Sequence, residues 1–289
     1  MGKSISIYIP NESKQSLGGG WTFLRNFKKA FSKYGDVKFV SQWQDCDILF
    51  IVGATLTPRD EVVRAKEAGK KIVFRVDNIP KDSRNRGTAF SRMIDYARLA
   101  DVIVFQSEWA KDYAGWWFVD NSIDINTKGR IIYNGVDTDF FYEDSSVKNN
   151  NRYIVVQYNR DENKRIPEAF YIFHQAYREN KDIELFVVGQ FSPELVTYNF
   201  DFFAGERVHY VGVVEDPKQM GDMFRSSGYL IFPAFADAAP NTVLEARACG
   251  CEIVGVNATG GTIEMLELPK VRTIETMGEE YRMVFEDIL

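Results

Sequence analysis

Residues 229–256 read YLIFPAFADAAPNTVLEARACGCEIVGV. Tyr229–Phe232 is apolar enough for a buried strand, and Glu252–Val256 resumes one. Between them Thr242–Cys249 carries apolar residues at helical spacing, with Gly250 behind it as a helix stop. A strand, a helix and a second strand in this order make a βαβ unit, the building block of a parallel sheet.

The same alternation runs outward in both directions. Toward the N-terminus, Ser4–Pro10, Val37–Val40, Asp47–Val52, Lys71–Val76, Val102–Phe105 and Arg130–Tyr133 read as strands. Trp21, Leu24, Phe27 and Phe31 fall on one helix face, and helices are expected over Pro58–Ala68, closed by Gly69, and Thr88–Leu99. Ser107 is a helix N-cap with Glu108 in the first turn, where the dipole favours a negative charge. Glu143–Arg152 (EDSSVKNNNR) is polar, without apolar period, and is expected to link two domains. Beyond it come strands Tyr153–Gln157, Glu184–Val188 and Val208–Val211, and helices Pro167–Glu179 and Pro217–Arg225. A short helix Ile263–Leu266 and a last helix Gly278–Ile288 close the pattern. The expected fold is α/β: two doubly wound, Rossmann-like domains facing a cleft, over residues 1–145 and 146–272. Residues 273–289 form a terminal helix that packs back toward the first domain. Ligands in such sheets sit beyond the carboxyl ends of the strands.

Composition narrows the function. The chain has 289 residues, 45% of them hydrophobic, and a formal net charge of −6. Nothing tilts it toward a nucleic-acid partner, which needs a basic face. Three cysteines (46, 249 and 251) fit neither a disulfide framework nor a usual zinc site, so a reducing, cytoplasmic setting is expected. The N-terminus lacks the layout of a secretion signal. Met1-Gly2 with Ser6 fits the loose myristoylation pattern, but a strand beginning at Ser4 leaves no lipid arm. No apolar run approaches bilayer length, so membrane contact is at most peripheral.

Three stretches hold candidate chemistry. Gly18, Gly19 and Gly20 follow the first strand and open the first helix. Backbone N–H groups there suit a phosphate, and a plain flexible turn is the alternative. Tyr158–Arg165 (YNRDENKR) puts Arg160, Lys164 and Arg165 at a strand's carboxyl end. Those cations neutralise a departing diphosphate, unless the loop is simply solvated charge. Third, Asp237 precedes a helix N-terminus and Glu245 stands eight positions on, inside the helix. Phosphate suits the N–H groups between them and ribose hydroxyls suit Glu245; an exposed Asp on an ordinary helix is the plainer alternative.

These stretches, taken in order, resemble the retaining GT-B glycosyltransferases of glycosyltransferase family 4. PNTVLEARACGCEIVG is similar to that family's P-x-x-x-L-E-A-x-A-x-G-x-P-V-V, and Asp237 to Glu245 to its E-x7-E segment. DVIVFQSEW (Asp101–Trp109), IIYNGVDTDFF (Ile131–Phe141), YNRDENKR, VHYVGVV (Val208–Val214) and Gly260-Gly261 with Glu264 match in family order. The resemblance implies transfer of a hexose-type sugar from a nucleotide-diphosphate sugar to an acceptor hydroxyl, with retention and no metal or other cofactor. It implies that Arg160 and Lys164 or Arg165 hold the diphosphate, helped by Pro240 and the N–H groups of Asn241, Thr242 and Val243. By the same resemblance Glu245 holds ribose, Asp237 touches the donor sugar, Val214 lies beside the base and the glycine loop closes on the phosphates. Partners are then the nucleotide sugar and a glycan, lipid or small-molecule acceptor. Asp237 stands where the family has Glu, Glu252 where it has Pro, and the Arg-to-Lys spacing is one residue off. Phe74–Gly87 (FRVDNIPKDSRNRG) has no counterpart of the family's first-domain histidine. Asp77 or Arg75 is expected to serve there, with Arg84 and Arg86 facing an anionic ligand.

Two other functions share this architecture. A nucleotide-sugar 2-epimerase needs acid/base carboxylates and histidines in the cleft, and the motifs of this chain offer few there. A catalytically degenerate sugar-binding module needs only the fold. Remaining features read as structural: Asp45-Cys46-Asp47 as a strand-entry turn, Asp137-Thr138-Asp139 as a cap, His174 and His209 as fold residues. Trp116-Trp117-Phe118 reads as core, with membrane or acceptor contact as the alternative.

Overall fold

The computed structural model describes residues 4–11, 19–55, 57–77, 87–157, 162–190 and 207–289. Two compact units emerge: unit 1 comprises residues 1–135 and 272–289, unit 2 residues 136–271.

Unit 1 is built on six parallel strands: β1 (Ile5–Tyr8), β2 (Val37–Val40), β3 (Ile48–Ile51), β4 (Lys71–Arg75), β5 (Val102–Phe105) and β6 (Gly129–Ile131). Their order is β2-β1-β3-β4-β5-β6. Every residue of β3 and β5 is buried, which is why both read as unbroken apolar runs. Helices α1 (Gly19–Phe31), α2 (Arg59–Glu67), α3 (Gly87–Leu99), α4 (Glu108–Asp120) and the short α5 (Ile125–Lys128) make the crossovers. Gly69 ends α2 with φ +77, its N–H on the Lys66 carbonyl and that of Lys70 on Ala65. This is the left-handed stop that glycine supplies at least cost. Ser107 caps α4 as expected, accepting from the Ala110 N–H at 3.0 Å.

The α1 face Phe23, Leu24, Phe27 and Phe31 meets Phe50 of β3 and the far end of the chain. That end is α10 (Ile274–Ile288), capped by Thr273. Ile274, Met277, Tyr281, Val284 and Phe285 form its buried face. Phe27 stacks on Phe50 at 4.8 Å and meets the Tyr281 ring edge-on at 5.2 Å. Each buried ring of this kind contributes about 1.5–3 kcal/mol. Gly278 lets α10 close on α1, since a Cβ there would lie 2.9 Å from that of Ala30. The helix starts one turn earlier than the sequence suggested, because Ile274 and Met277 join the core.

Unit 2 has five parallel strands: β7 (Asn149–Gln157), β8 (Glu184–Gly189), β9 (Val208–Gly212), β10 (Ser227–Ile231) and β11 (Glu252–Val254), in the order β11-β10-β7-β8-β9. Helices α6 (Ile166–Glu179), α7 (Pro217–Arg225), α8 (Asn241–Ala248) and α9 (Thr262–Glu267) are its described helices. Phe170 and Phe173 of α6 pack on Leu185 and Val187 of β8.

The polar stretch 143–152 is not a free linker. Asn149–Arg152 begin β7, with Asn149 opposite Ser227 and Arg152 opposite Glu184. Ladder bonds are made by backbone groups, so a strand's solvated end needs no apolar side chains. Lys148 also anchors the segment, donating to the Ser227 and Cys249 carbonyls at 3.1 and 2.8 Å.

Candidate functional site

In unit 2 the chain winds from β7 out to β9, then returns to place β10 on the other side of β7. The loops after β7 and β10 therefore part at a topological switch point, the place where doubly wound sheets take their ligands. Lys164 ends the first of these loops and Asp237 lies in the second. Lys164 Nζ donates to Asp237 Oδ2 at 2.6 Å, and the ammonium lies 5.3 Å from the Phe232 ring. The pair is neither sealed nor fully solvated: the side chains are 23% and 21% exposed.

The backbone around this pair is tightly tied. The Phe235 N–H donates to the Asn163 carbonyl at 2.6 Å, joining the two loops. The Ala236 N–H reaches the Thr259 carbonyl, and Asp237 pairs with Gly260 as a parallel bridge while accepting from the Gly261 N–H at 2.8 Å. Gly260 has φ +128, and a Cβ there would lie 2.9 Å from the Asp237 carbonyl oxygen. Arg165 and Ala236 have φ +51 and +52. Left-handed conformations cost non-glycine residues energy and gather where surrounding structure fixes a functional loop. Sequence pattern exposed Gly260-Gly261 but not the Phe235–Asn163 tie, whose members are far apart in the chain.

Other expected site residues fall as follows. Arg165, at the N-cap of α6, pairs with Glu168 at 2.6 Å, so Lys164 is the cation joined to the acidic loop. Pro240 is the N-cap of α8 and gives no side-chain cap, and the Val243 N–H turns back to the Pro240 carbonyl at 3.1 Å. Asn241 and Thr242 open that helix and Glu245 lies half-buried within it. Val214 is buried just after β9. Gly19 and Gly20 open α1. Arg160, Gly18, Arg84 and Arg86 lie outside the described residues.

Unit 1 has its own cation at the carboxyl end of its sheet. Arg75, at the end of β4, is only 2% exposed. Its guanidinium donates to the Val52 carbonyl at 3.2 Å, to Gln106 Oε1 and to Asn134 Oδ1, and lies 3.8 Å above the Phe23 ring. Gln106 Nε2 continues the network to the Val76 carbonyl at 2.7 Å. Burial lowers the pKa of Arg75, with Tyr281 and Asp77 acting the other way; a guanidinium nonetheless stays charged. Arg75, expected to serve a ligand, has its two terminal guanidinium nitrogens engaged by acceptors of the fold, while its buried Nε has no hydrogen-bond partner. Asp77 is half-buried beside it, accepting from the Ala54 N–H at 3.2 Å, and a Cβ at Gly53 would press against its carboxylate.

Asp45–Asp47 is a strand entry: Asp47 Oδ2 accepts from the N–H and hydroxyl of Ser6 at 2.9 and 2.6 Å, tying β3 to β1. Asp137 Oδ1 likewise caps the Asp139 N–H. Phe118 is buried while Trp116 is 62% exposed, so only part of that cluster is core. Burial pushes the thiol of Cys249 up to about 12 and that of Cys251 to about 11. Among the described residues no helix is long and apolar enough to cross a membrane.

Residues 139–274 match the family Glycosyl transferases group 1. No protein of curated function matches the sequence. Among solved structures the chain is similar to HepE from Anabaena, in complex with UDP, with a TM-score of 0.65 at 14% identity over 98% of this chain and 90% of that one. Sucrose-phosphate synthase from Thermosynechococcus elongatus gives 0.65 at 13% identity, over 98% and 90%. The pneumococcal O-GlcNAc transferase GtfA, in complex with UDP and GlcNAc, gives 0.62 at 10% identity, over 94% of this chain and 61% of that one. At these identities the likeness is one of fold, and that fold is GT-B.

Proposed function

We propose that the chain, whose residues 139–274 match the family Glycosyl transferases group 1, moves a hexose-type sugar from a nucleotide-diphosphate sugar to an acceptor hydroxyl with retention of configuration. The observation that supports this most is the meeting of Lys164 and Asp237 at the switch point of the second sheet. A cation fixed there suits a diphosphate, and a carboxylate beside it suits the hydroxyls of the attached sugar.

In this reading the acceptor oxygen bonds to the anomeric carbon as the bond from that carbon to the diphosphate breaks. The electron pair leaves with the diphosphate, and the acceptor proton passes to a departing phosphate oxygen on the same face. Lys164 and Arg160 stabilise the charge that builds there. Positioning and preorganised positive charge carry most of the rate, with no protein nucleophile and no metal. The first-turn N–H groups of Asn241 and Thr242, behind Pro240, add to that field, while that of Val243 is held by the Pro240 carbonyl. Glu245 takes ribose hydroxyls and Val214 walls the base. Arg165 has the weaker claim to the diphosphate, given its pairing with Glu168. HepE and the pneumococcal transferase were solved with UDP, so uridine diphosphate sugars are the first donors to try.

The test is release of nucleoside diphosphate from a panel of nucleotide sugars. Arg160→Ala and Lys164→Ala should each lower turnover by about 10²-fold, the scale for removing one preorganised charge partner. Near-normal turnover in both variants would remove the assignment.

A further inference from the structure

The Lys164–Asp237 pair has a consequence for which ligand the site prefers. Asp237 is no passive neighbour: its carboxylate lies 2.6 Å from the ammonium proposed to hold a diphosphate. A diphosphate arriving at Lys164 meets that negative charge at short range, whether the ammonium turns away from Asp237 or is shared. An ionised carboxylate accepts hydrogen bonds and donates none, so it offers a phosphate oxygen nothing. A sugar hydroxyl is the opposite case, because it can donate to Asp237.

Retreat of the carboxylate is restricted. The Asp237 backbone is bridged to Gly260 and its carbonyl accepts from the Gly261 N–H at 2.8 Å, so the point from which the side chain springs is fixed. Aspartate is also one methylene shorter than glutamate, so rotation about its side-chain bonds carries the charge only a short way.

Resting on the transferase reading, we infer that Asp237 is a specificity-determining residue that discriminates a nucleotide sugar from the bare nucleoside diphosphate. Its charge opposes the diphosphate, and a hydroxyl of the attached sugar offsets that opposition. Once the sugar has moved to the acceptor, the offset is lost and the product diphosphate faces the carboxylate without that hydroxyl. The pair thus weakens product retention while preserving donor binding.

Titration calorimetry on the full chain tests this with uridine, adenosine and guanosine diphosphates and their glucose and N-acetylglucosamine conjugates. Wild type should bind a nucleotide sugar more tightly than the matching diphosphate. Asp237→Asn should bind the diphosphate about five- to tenfold more tightly than wild type, the scale for a partly exposed charge contact. The donor-over-product ratio should shrink to match. Asp237→Glu keeps the charge and should keep the wild-type preference. Unchanged or weaker diphosphate binding in Asp237→Asn overturns the inference, and so does a ratio that collapses equally in the Glu variant, which assigns the effect to shape. Absence of any nucleotide or nucleotide-sugar binding by wild type is a different failure, that of the transferase reading.

Discussion

The carboxyl ends of the two sheets each hold a cation, and they use it in opposite ways. Arg75 of unit 1 is sealed at 2% exposure among a carbonyl, two amides and a phenyl ring. Lys164 of unit 2 keeps 23% of its side chain exposed and has a carboxylate for a partner. A buried guanidinium surrounded by dipoles organises the strand ends it touches. A half-solvated ammonium beside a carboxylate can exchange partners, which is what binding an anion requires. Two parallel sheets of different strand order thus yield a brace in one unit and a candidate binding group in the other.

The largest effect that would break this contrast is on stability. Arg75→Ala leaves Val52, Gln106 and Asn134 without their buried donor and opens a cavity, so unit 1 should lose about 3 kcal/mol or more. All five tryptophans (Trp21, Trp43, Trp109, Trp116 and Trp117) lie in unit 1, so their fluorescence in a urea titration reads its unfolding. Lys164→Ala should change the stability of unit 2, followed by circular dichroism, by less than about 1 kcal/mol, as expected for a solvent-screened pair. A larger loss from Lys164→Ala than from Arg75→Ala would reverse the assignment of roles.

Paired glycine substitutions sharpen the comparison at a smaller scale. Gly260→Ala forces a side chain into a left-handed backbone against the Asp237 carbonyl, at a cost of about 1–3 kcal/mol. It should lower donor turnover about tenfold or more by moving Asp237. Gly53→Ala meets the movable Asp77 carboxylate instead, and should leave nucleotide affinity in unit 2 unchanged when titrated in the same way. Equal losses of affinity from the two variants would sink the distinction.

The smallest effect concerns acid. Arg282 hydrogen-bonds Asp36 and holds its carboxyl below the ordinary range. Stability from this contact is present at neutral pH and is lost as pH falls through the depressed folded value. Asp36→Asn should therefore flatten the acid limb of unit 1's stability while leaving unit 2 as it was. An unaltered acid limb by tryptophan fluorescence would show that the contact carries no net linkage.

Sequence periodicity was informative wherever burial controlled the residue. The runs Ile48–Ile51 and Val102–Phe105, the α1 stripe and the Ser107 cap follow directly from apolar spacing and cap chemistry. It failed where backbone pairing alone decided, as at Asn149–Arg152, and where tertiary contact extended an element, as at Ile274 and Met277. For the candidate site, Lys164 and Asp237 were legible as motif positions, but their contact was not, since 73 residues separate them. The Arg75 network had no local signal: its polar partners Gln106 and Asn134 follow two other strands and are ordinary residues in their own surroundings.

Helix α10 completes the aromatic core of unit 1 from the far side of unit 2 in the chain. A ribosome therefore finishes all of unit 2 before it supplies the last wall of unit 1. Until then Phe23, Phe27 and Phe50 wait without Tyr281 and Phe285 to cover them, and apolar surface stays exposed during synthesis. The domain begun first is the one completed last, so vectorial synthesis favours early folding of the half that carries Lys164 and Asp237.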